Sequence, residues 1–129
     1  MDEPKVLYQG DTLTAQGDVD MVYLTDLPEG IHITATGFVR LSRVTTIPRG
    51  AIITAGKDLD LRNVTTIAEN AMLVTGGDLY LNNLTTVAAG AMLVSRGYTY
   101  LQSLAKITDG VTIKAGMLWL SDHYGDTPS

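Results

Sequence analysis

Side chains that could perform acid–base or nucleophilic catalysis are scarce in this chain. Two of its 129 residues are histidines, His32 and His123, and none is cysteine. A catalytic nucleophile needs a positioned base, and neither histidine stands in a sequence context with a recognisable nucleophile or orienting acid. The sequence also lacks a glycine-rich phosphate loop, a zinc-ligand spacing and a nucleotide fingerprint. We therefore predict that the protein is not an enzyme and binds no cofactor.

Carboxylates recur at a fixed interval, which is the pattern that a metal site or a charged surface would need. Asp58 and Asp78 stand at an interval of 20, and Asp18, Asp20 and Asp60 fall on related positions. If positions at this interval stack, Asp58 and Asp78 bring like charges together, which predicts a raised carboxyl pKa or a nearby cation such as Ca²⁺. Too few oxygen ligands surround them in sequence for a known calcium loop. We predict no metal site, and an acidic surface made by these five aspartates.

This interval belongs to an internal repeat. Residues 58–77 and 78–97 align without a gap, so that Leu81 is the counterpart of Leu61, and Leu41 and Leu101 continue the series. A turn column with the same period holds residues that adopt left-handed backbone conformations at low cost, namely Gly10, Gly30, Gly50, Asn70, Gly90 and Gly110. A fixed period of this length is typical of solenoids, in which each coil buries its apolar face against its neighbours.

The hydrophobic pattern of one coil predicts two strands joined by turns. In residues 78–81, Asp-Leu-Tyr-Leu, the alternation predicts a half-buried strand with both leucines inside. Leu84 and Val87 are spaced for burial at an irregular or 3₁₀ turn, and residues 91–95 predict a second strand with Ala91 and Leu93 inside. Residues 66–71 are compatible with a single helical turn or with none. The predicted fold is mainly β, a single solenoid of about six 20-residue coils with little or no regular helix, as in a parallel β-helix.

The repeat also predicts the domain organisation. We expect one domain, with an N-terminal partial coil or cap in residues 1–16, repeats in residues 17–116, and a C-terminal cap and tail in residues 117–129. Residues 116–120 match residues 97–101 at an interval of 19, and terminal coils are often atypical because they close the core. Trp119, His123 and Tyr124 are assigned to this cap.

Several segments carry a family resemblance: Leu27-Pro28-Glu29-Gly30, Ile47-Pro48-Arg49-Gly50, and Gly-Gly-Asp-Leu-Tyr-Leu in residues 76–81. They resemble the short leucine-rich repeat arrays of bacterial and phage proteins over roughly residues 17–121. Later coils carry Ala68, Ala88 and Thr108 where proline would stand, and no asparagine ladder of the ordinary leucine-rich repeat is predicted. The resemblance implies a compact solenoid with a binding role, and it assigns no functional residue.

Aromatic residues gather on the outward positions of the C-terminal coils. The candidate partner-binding residues are Tyr80, Tyr98, Tyr100, Met117 and Trp119. Tyrosine and tryptophan are enriched in protein interfaces, which predicts binding of a protein partner or a second copy. Two alternatives stay open, an aromatic ladder that only stabilises adjacent strands and a cap that folds its own tail over them.

The leading functional hypothesis is a non-catalytic protein-binding solenoid with a host protein as partner. A specific form of it is a phage-type inhibitor of a host defence protein, such as an anti-CRISPR protein. The alternative is an acidic nucleic-acid mimic that blocks a DNA- or RNA-binding enzyme, because regularly spaced carboxylates can imitate backbone phosphates. The N-terminal third of the chain is acidic, with Asp2, Glu3, Asp11, Asp18, Asp20, Asp26 and Glu29 against Lys5. The basic residues that follow it weaken that field: Arg40, Arg43, Arg49, Lys57 and Arg62.

Two further sets of repeated residues could form binding surfaces. An apolar stripe consists of Ile52, Met72, Val74, Met92 and Val94. If these side chains face outward they predict a homodimer seam, and if the strand phase is off by one they belong to the core. Threonine pairs repeat at residues 45–46, 65–66 and 85–86 and suggest, as a lesser alternative, an ice-binding β-solenoid. Because adjacent side chains point in different directions, one threonine column is expected to hydrogen-bond the turn backbone instead.

Composition restricts partners and location. A net charge of −5 and a pI of about 4.7 argue against direct binding of nucleic acid, which would require clustered lysine and arginine. The absence of cysteine is compatible with a reducing compartment. Residues 1–5 are not those of a signal peptide, and no apolar run has membrane-spanning length. We therefore predict a cytoplasmic protein that does not interact with membranes.

Overall fold

The computed structural model describes residues 7–104 and 108–120, and within these ranges every regular element is a β-strand. The strands are short because each coil turns several corners within one repeat. In chain order they are β1 (Thr12–Ala15), β2 (Val19–Asp20), β3 (His32–Ala35), β4 (Val39–Arg40), β5 (Thr46–Ile47), β6 (Ile52–Ala55), β7 (Leu59–Asp60), β8 (Thr66–Ile67), β9 (Met72–Thr75), β10 (Leu79–Tyr80), β11 (Thr86–Val87), β12 (Met92–Ser95), β13 (Tyr98–Leu101), β14 (Thr112–Lys114) and β15 (Met117–Leu120).

These strands form three parallel sheets around one core, so the predicted β-solenoid is confirmed. Sheet A has the order β1-β3-β6-β9-β12-β14, sheet B the order β2-β4-β7-β10-β13-β15, and sheet C the order β5-β8-β11. Paired residues are 20 apart along sheet A, so Thr12 to Thr112 covers five turns. The last step of sheet B pairs Tyr98 with Met117, which confirms the predicted slip of one position in the repeat.

Sheet C was not predicted from the sequence, which indicated two strands per coil. Its strands contain two residues each, and they occupy the segment where an irregular or 3₁₀ turn was expected. Residues 66–71 contain β8 and a turn, so the alternative of a helical turn there is wrong. The burial predicted for this segment is correct, because Leu84 and Val87 both lie in the core.

The core is a stack of inward-facing columns, one residue from each coil. Leu59, Leu79, Leu61 and Leu81 of sheet B and its corner are fully buried. Sheet A contributes small and large side chains in turn, with Ala35, Ala55, Thr75 and Ser95 beside Ile33, Ile53, Leu73 and Leu93. Burying one aliphatic side chain of this size stabilises a fold by about 1.5–3 kcal/mol. Because the same columns recur in every coil, most of the stability is expected to come from contacts between neighbouring coils.

Glycines occur at two kinds of corner, for two different reasons. The predicted turn column has positive φ angles in each coil, including 71° at Gly50 and 62° at Asn70. At the corner between sheets A and B the reason is different, since a Cβ on Gly76 would overlap the carbonyl oxygen of Gly56 in the preceding coil. This close approach lets the backbones of neighbouring coils hydrogen-bond through the corner.

Polar side chains also connect coils at the turn that follows sheet B. The amide groups of Asn63 and Asn83 donate to the backbone carbonyls of Ser42 and Arg62, and the Ser103 hydroxyl donates to that of Asn82. Two asparagines at an interval of 20 therefore each bind the backbone of the preceding coil, a contact that was not predicted.

The ends of the array continue the same pairing. β1 lies in the segment assigned to an N-terminal cap and pairs in register with β3, while β15 lies in the segment assigned to the C-terminal cap and pairs with β13. The expected tail, together with His123 and Tyr124, lies outside the described residues.

Candidate functional site

The aspartates at the start of the sheet B strands bind the backbone of the next coil. One carboxylate oxygen of Asp18 accepts the N–H of Phe38 at 2.9 Å, and Asp58 accepts the N–H of Asp78 at 2.8 Å. Asp78 does the same for Tyr98 at 2.8 Å. A backbone N–H that donates to a carboxylate offsets part of the repulsion between that carboxylate and a like-charged neighbour. The stacking of Asp58 on Asp78 thus has a structural reason that needs no cation.

A metal-binding cluster is not found in the part of the chain that the structure describes, where no three His, Cys, Asp or Glu side chains come together. His32 lies exposed on β3, at the N-terminal end of sheet A. His123 lies outside the described residues, so its predicted place in a cap is not addressed.

The N-terminal half of sheet B is a ladder of alternating charge. Arg40 lies between two carboxylates, 3.0 Å from Asp20 and 3.8 Å from Asp60, and Arg62 lies 3.0 Å from Asp60 on the other side. Arg40 and Asp20 are well exposed, so this pair contributes about 0–1 kcal/mol. Two of the five predicted acidic-surface residues, Asp20 and Asp60, are therefore paired with arginines in sheet B or in the turn that follows it.

Guanidinium groups in this half lie over aromatic rings. Arg40 is 5.0 Å from the ring centroid of Phe38, and Arg62 is 5.2 Å from that of Tyr80. These residues and the aspartates between them line a shallow notch of about 130 Å³, whose walls are Phe38, Arg40, Asp58, Asp60, Arg62 and Tyr80. A charged group stacked on a ring in this range is a cation–π contact, worth roughly 0.5–1 kcal/mol when exposed.

The C-terminal half of sheet B is aromatic, and the structure brings all five predicted partner-binding residues onto it. The rings of Tyr80 and Tyr100 stack with centroids 5.0 Å apart and 5° between planes, and Tyr98 lies 5.6 Å from Tyr100. Strand β15 then places Met117 beside Tyr98 and Trp119 beside Tyr100. Met117 and Trp119 are 56% and 54% exposed. The result is one contiguous surface, which we call the aromatic face.

Two tyrosines of this face, Tyr80 and Tyr100, have raised pKa values. Burial raises the pKa of Tyr80 above its ordinary value of 10.0, and the carboxylates of Asp58 and Asp78 raise it further. Partial desolvation and the charge of Asp78 likewise raise the pKa of Tyr100. The Tyr80 hydroxyl donates to Asp78 at 3.4 Å. Both phenols therefore have negative charge close by.

Sheet A presents the predicted apolar stripe to the outside. Along β6, β9 and β12 the side chains of Ile52, Met72, Val74, Met92 and Val94 are half-buried, whereas the residues between them are buried. The strand phase was therefore predicted correctly, and the alternative in which these side chains form the core is wrong. Across the six strands of sheet A there is no carboxylate, and the charged residue is Lys114 at one end.

Sheet C carries the threonine pairs. The hydroxyls of Thr65 and Thr85 donate to the backbone carbonyls of Thr45 and Thr65 in the preceding coils, as expected for one of the two columns. The second column, Thr46, Thr66 and Thr86, faces outward from β5, β8 and β11. Ice binding stays a prediction, with a single threonine column on strands as its basis.

Sequence reasoning missed the pairing of arginine with aromatic rings. Arg62 stands 18 residues before Tyr80, which is two short of one coil. Arg40 stands two residues after Phe38 in the same coil. The signal that could have found them is this offset, since residues i and i+2 of a strand lie on the same side of a sheet.

Comparison of the chain with protein-family models, with curated proteins and with solved structures finds no match. In residues 7–104 and 108–120 no helix has the length and hydropathy that crossing a membrane requires.

Proposed function

We propose that the protein is a non-catalytic solenoid that binds a protein partner through the aromatic face. The observation that carries this proposal is the contiguity of Tyr98, Tyr100, Met117 and Trp119 on one parallel sheet. Exposed Trp and Tyr are residue types that dominate binding energy in protein interfaces, and Met is enriched there. A rigid sheet also loses little conformational entropy on binding.

The aromatic ladder offers a purely structural explanation for part of this face. Stacking of Tyr80 on Tyr100 stabilises neighbouring strands whether or not a partner binds. It does not explain Met117 and Trp119, which remain more than half exposed on the adjoining strand. These two residues favour a binding role over a ladder alone.

The specific identity of the partner remains part of the proposal. A host protein bound by a phage-type inhibitor, in a cytoplasmic setting, is compatible with the acidic composition and the cysteine-free sequence. The fixed repeat period and the Asn63 and Asn83 contacts between coils support the resemblance to short leucine-rich repeats. Nucleic-acid mimicry has weaker support, because Asp20 and Asp60 are paired with arginines and Asp18, Asp58 and Asp78 bind backbone N–H groups.

Self-association through sheet A is a second proposal with its own observation. The stripe is apolar, outward and free of carboxylates within the described strands, so two copies of a chain with charge −5 could meet there without facing like charges. Six strands about 4.8 Å apart and four residues of about 3.3 Å each give a face of roughly 300 Å². A stable interface buries about 800 Å² per partner, so this association would be weak.

The test of the main proposal compares three proteins immobilised at equal density and exposed to cell lysate. These are the wild type, the variant Tyr80→Ala, Tyr100→Ala, Trp119→Ala, and a matched control on sheet C, Thr46→Ala, Thr66→Ala, Thr86→Ala. A specific protein retained by the wild type and the control but lost by the aromatic variant supports the proposal. Loss of binding counts only if the circular dichroism of the aromatic variant matches that of the wild type, and equal retention by the aromatic variant would remove the aromatic face from consideration.

A further inference from the structure

The arginines of sheet B show which chemical group its outward surface accommodates. Arg40 lies over Phe38 while pairing with Asp20, and Arg62 lies over Tyr80 while pairing with Asp60. In both cases one guanidinium contacts a ring face and a carboxylate of the same sheet. The surface thus contains two internal examples of a combined cation–π and ion-pair site.

The C-terminal half of the sheet repeats the rings without the arginine, and Tyr80 and Tyr100 stand where Asp60 would recur, so the carboxylate there comes from the neighbouring column at Asp78. One and two coils after Arg62, the equivalent positions are Asn82 and Gln102. In the described ranges no guanidinium lies over Tyr98 or Tyr100, although both rings belong to the same stack as Tyr80.

Asp78 supplies the negative charge of this incomplete site. One of its carboxylate oxygens accepts the N–H of Tyr98 at 2.8 Å, and the other lies 3.4 Å from the Tyr80 hydroxyl. Asp58 stacks below Asp78 in the preceding coil, and the charges of both carboxylates contribute to the raised pKa values of Tyr80 and Tyr100. The strands β10, β13 and β15 themselves carry no charged residue; Asp78 stands directly before β10, and the exposed Arg96 stands two residues before Tyr98.

From this arrangement we infer that the aromatic face binds an arginine side chain of its partner, seated on Tyr98 and Tyr100 with its charge toward Asp78. The inference rests on the proposed function and names the chemistry of the partner, a protein surface or segment that presents arginine. Arginine fits better than lysine, because a planar guanidinium stacks on a ring while keeping donors for a carboxylate in its plane. The contact resembles that of Arg62 on Tyr80, with Asp78 rather than Asp60 as the carboxylate.

The probe is a blocked pentapeptide with one central arginine, compared with otherwise identical peptides carrying lysine or the neutral isostere citrulline. Binding is followed by two-dimensional NMR of the labelled protein, which reports both the affinity and the position of the contact. The arginine peptide is expected to shift the backbone amides of residues 98–100 and the Trp119 indole. Citrulline is expected to bind about threefold to tenfold more weakly, as loss of one exposed charge-assisted contact implies.

A matched pair of variants separates the site from general charge attraction. Asp78→Asn removes the charge but keeps an oxygen that can accept the Tyr98 N–H, and Asp18→Asn makes the same change where the N–H belongs to Phe38. Asp78→Asn should weaken arginine-peptide binding by about threefold or more, and Asp18→Asn should leave it within error. Equal affinity for arginine and citrulline, equal loss in both variants, or shifts confined to the Asp20–Arg40 region would each overturn the inference.

Failure of this inference differs from failure of the protein-binding function. If a captured partner is lost with the aromatic variant but retained by Asp78→Asn with unchanged affinity, the face binds protein without an arginine contact. If the aromatic variant retains the partner, the proposed function itself is wrong.

Discussion

Tyr80 and Tyr100 stack face to face across two neighbouring coils, with ring centroids 5.0 Å apart and planes 5° from parallel. The spacing of the rings follows directly from the spacing of the strands that carry them, since Tyr80 and Tyr100 are register partners of β10 and β13. The repeat thus places rings, carboxylates and arginines at fixed distances without any loop to position them.

Replacing Tyr80 with leucine should destabilise the fold, because it removes the stack on Tyr100 and the ring under Arg62. The expected loss in the free energy of unfolding is about 1 kcal/mol, measured by urea denaturation. Tyr80→Phe is the matched control, since it keeps the ring and loses only the 3.4 Å hydroxyl contact to Asp78. Equal losses in both variants would show that the stack contributes nothing.

Ionisation of the stacked tyrosines should make stability depend on pH in the alkaline range. The pKa values of Tyr80 and Tyr100 are raised in the folded state, so their contribution is fully present below the unfolded pKa of about 10 and is lost as pH rises through the folded values. Ultraviolet difference spectra should show tyrosinate forming at these two residues above pH 10.0. The double variant Tyr80→Phe, Tyr100→Phe should remove that part of the titration, and an unchanged curve would contradict the assignment.

Asp58 should be required for its hydrogen bond rather than for its charge. Asp58→Ala leaves the N–H of Asp78 without its acceptor, and we expect a loss of about 1–3 kcal/mol in the free energy of unfolding. Asp58→Asn retains a carbonyl oxygen for that N–H and relieves the repulsion with Asp78, so it should be close to wild type. A larger loss for Asp58→Asn than for Asp58→Ala, by thermal or chemical denaturation, would argue that the negative charge is essential.

Asn70 tests the turn column. Its φ of 62° lies in the left-handed region, where the other coils of the column have glycine. Asn70→Ala should cost about 1 kcal/mol and Asn70→Gly should cost little or nothing, as measured by the midpoint of urea unfolding. Equal stability of the alanine and glycine variants would mean that the turn can change its conformation.

The apolar stripe of sheet A predicts weak self-association. Sedimentation velocity of the wild type should show weak, concentration-dependent dimerisation, and Val74→Lys at the centre of the stripe should abolish it by placing a charge in the seam. Thr66→Lys, on sheet C, is the control and should behave like the wild type. Identical monomeric behaviour of all three proteins at millimolar concentration would rule out the seam.

The architecture was predictable because the repeat amplifies a weak local pattern. Leu79 and Leu81 alone resemble many half-buried strands, but their recurrence in coil after coil fixes the register and therefore the inward columns. Sheet C escaped prediction because a two-residue strand such as Thr86–Val87 is too short to show alternation.

The site was only partly predictable for a geometric reason. Columns of equivalent positions in successive coils locate the aromatic face, as Tyr80 above Tyr100 demonstrates. Side-chain contacts between columns, such as Arg62 over Tyr80, depend on rotamers and on the distance between adjacent coils. Leu118 shows the effect of the array's end, since it is 42% exposed whereas Thr99, its register partner in β13, is buried.

The most direct test of the protein-binding function is position-specific photocrosslinking. A benzophenone amino acid is introduced in place of Tyr98 on the aromatic face and, in a second protein, in place of Thr66 on sheet C. After irradiation in cell lysate, the function predicts a discrete crosslinked protein from position 98, competed by excess unlabelled wild type, and none from position 66. The same crosslinked proteins from both positions, or none from position 98, would contradict a partner-binding role for this face.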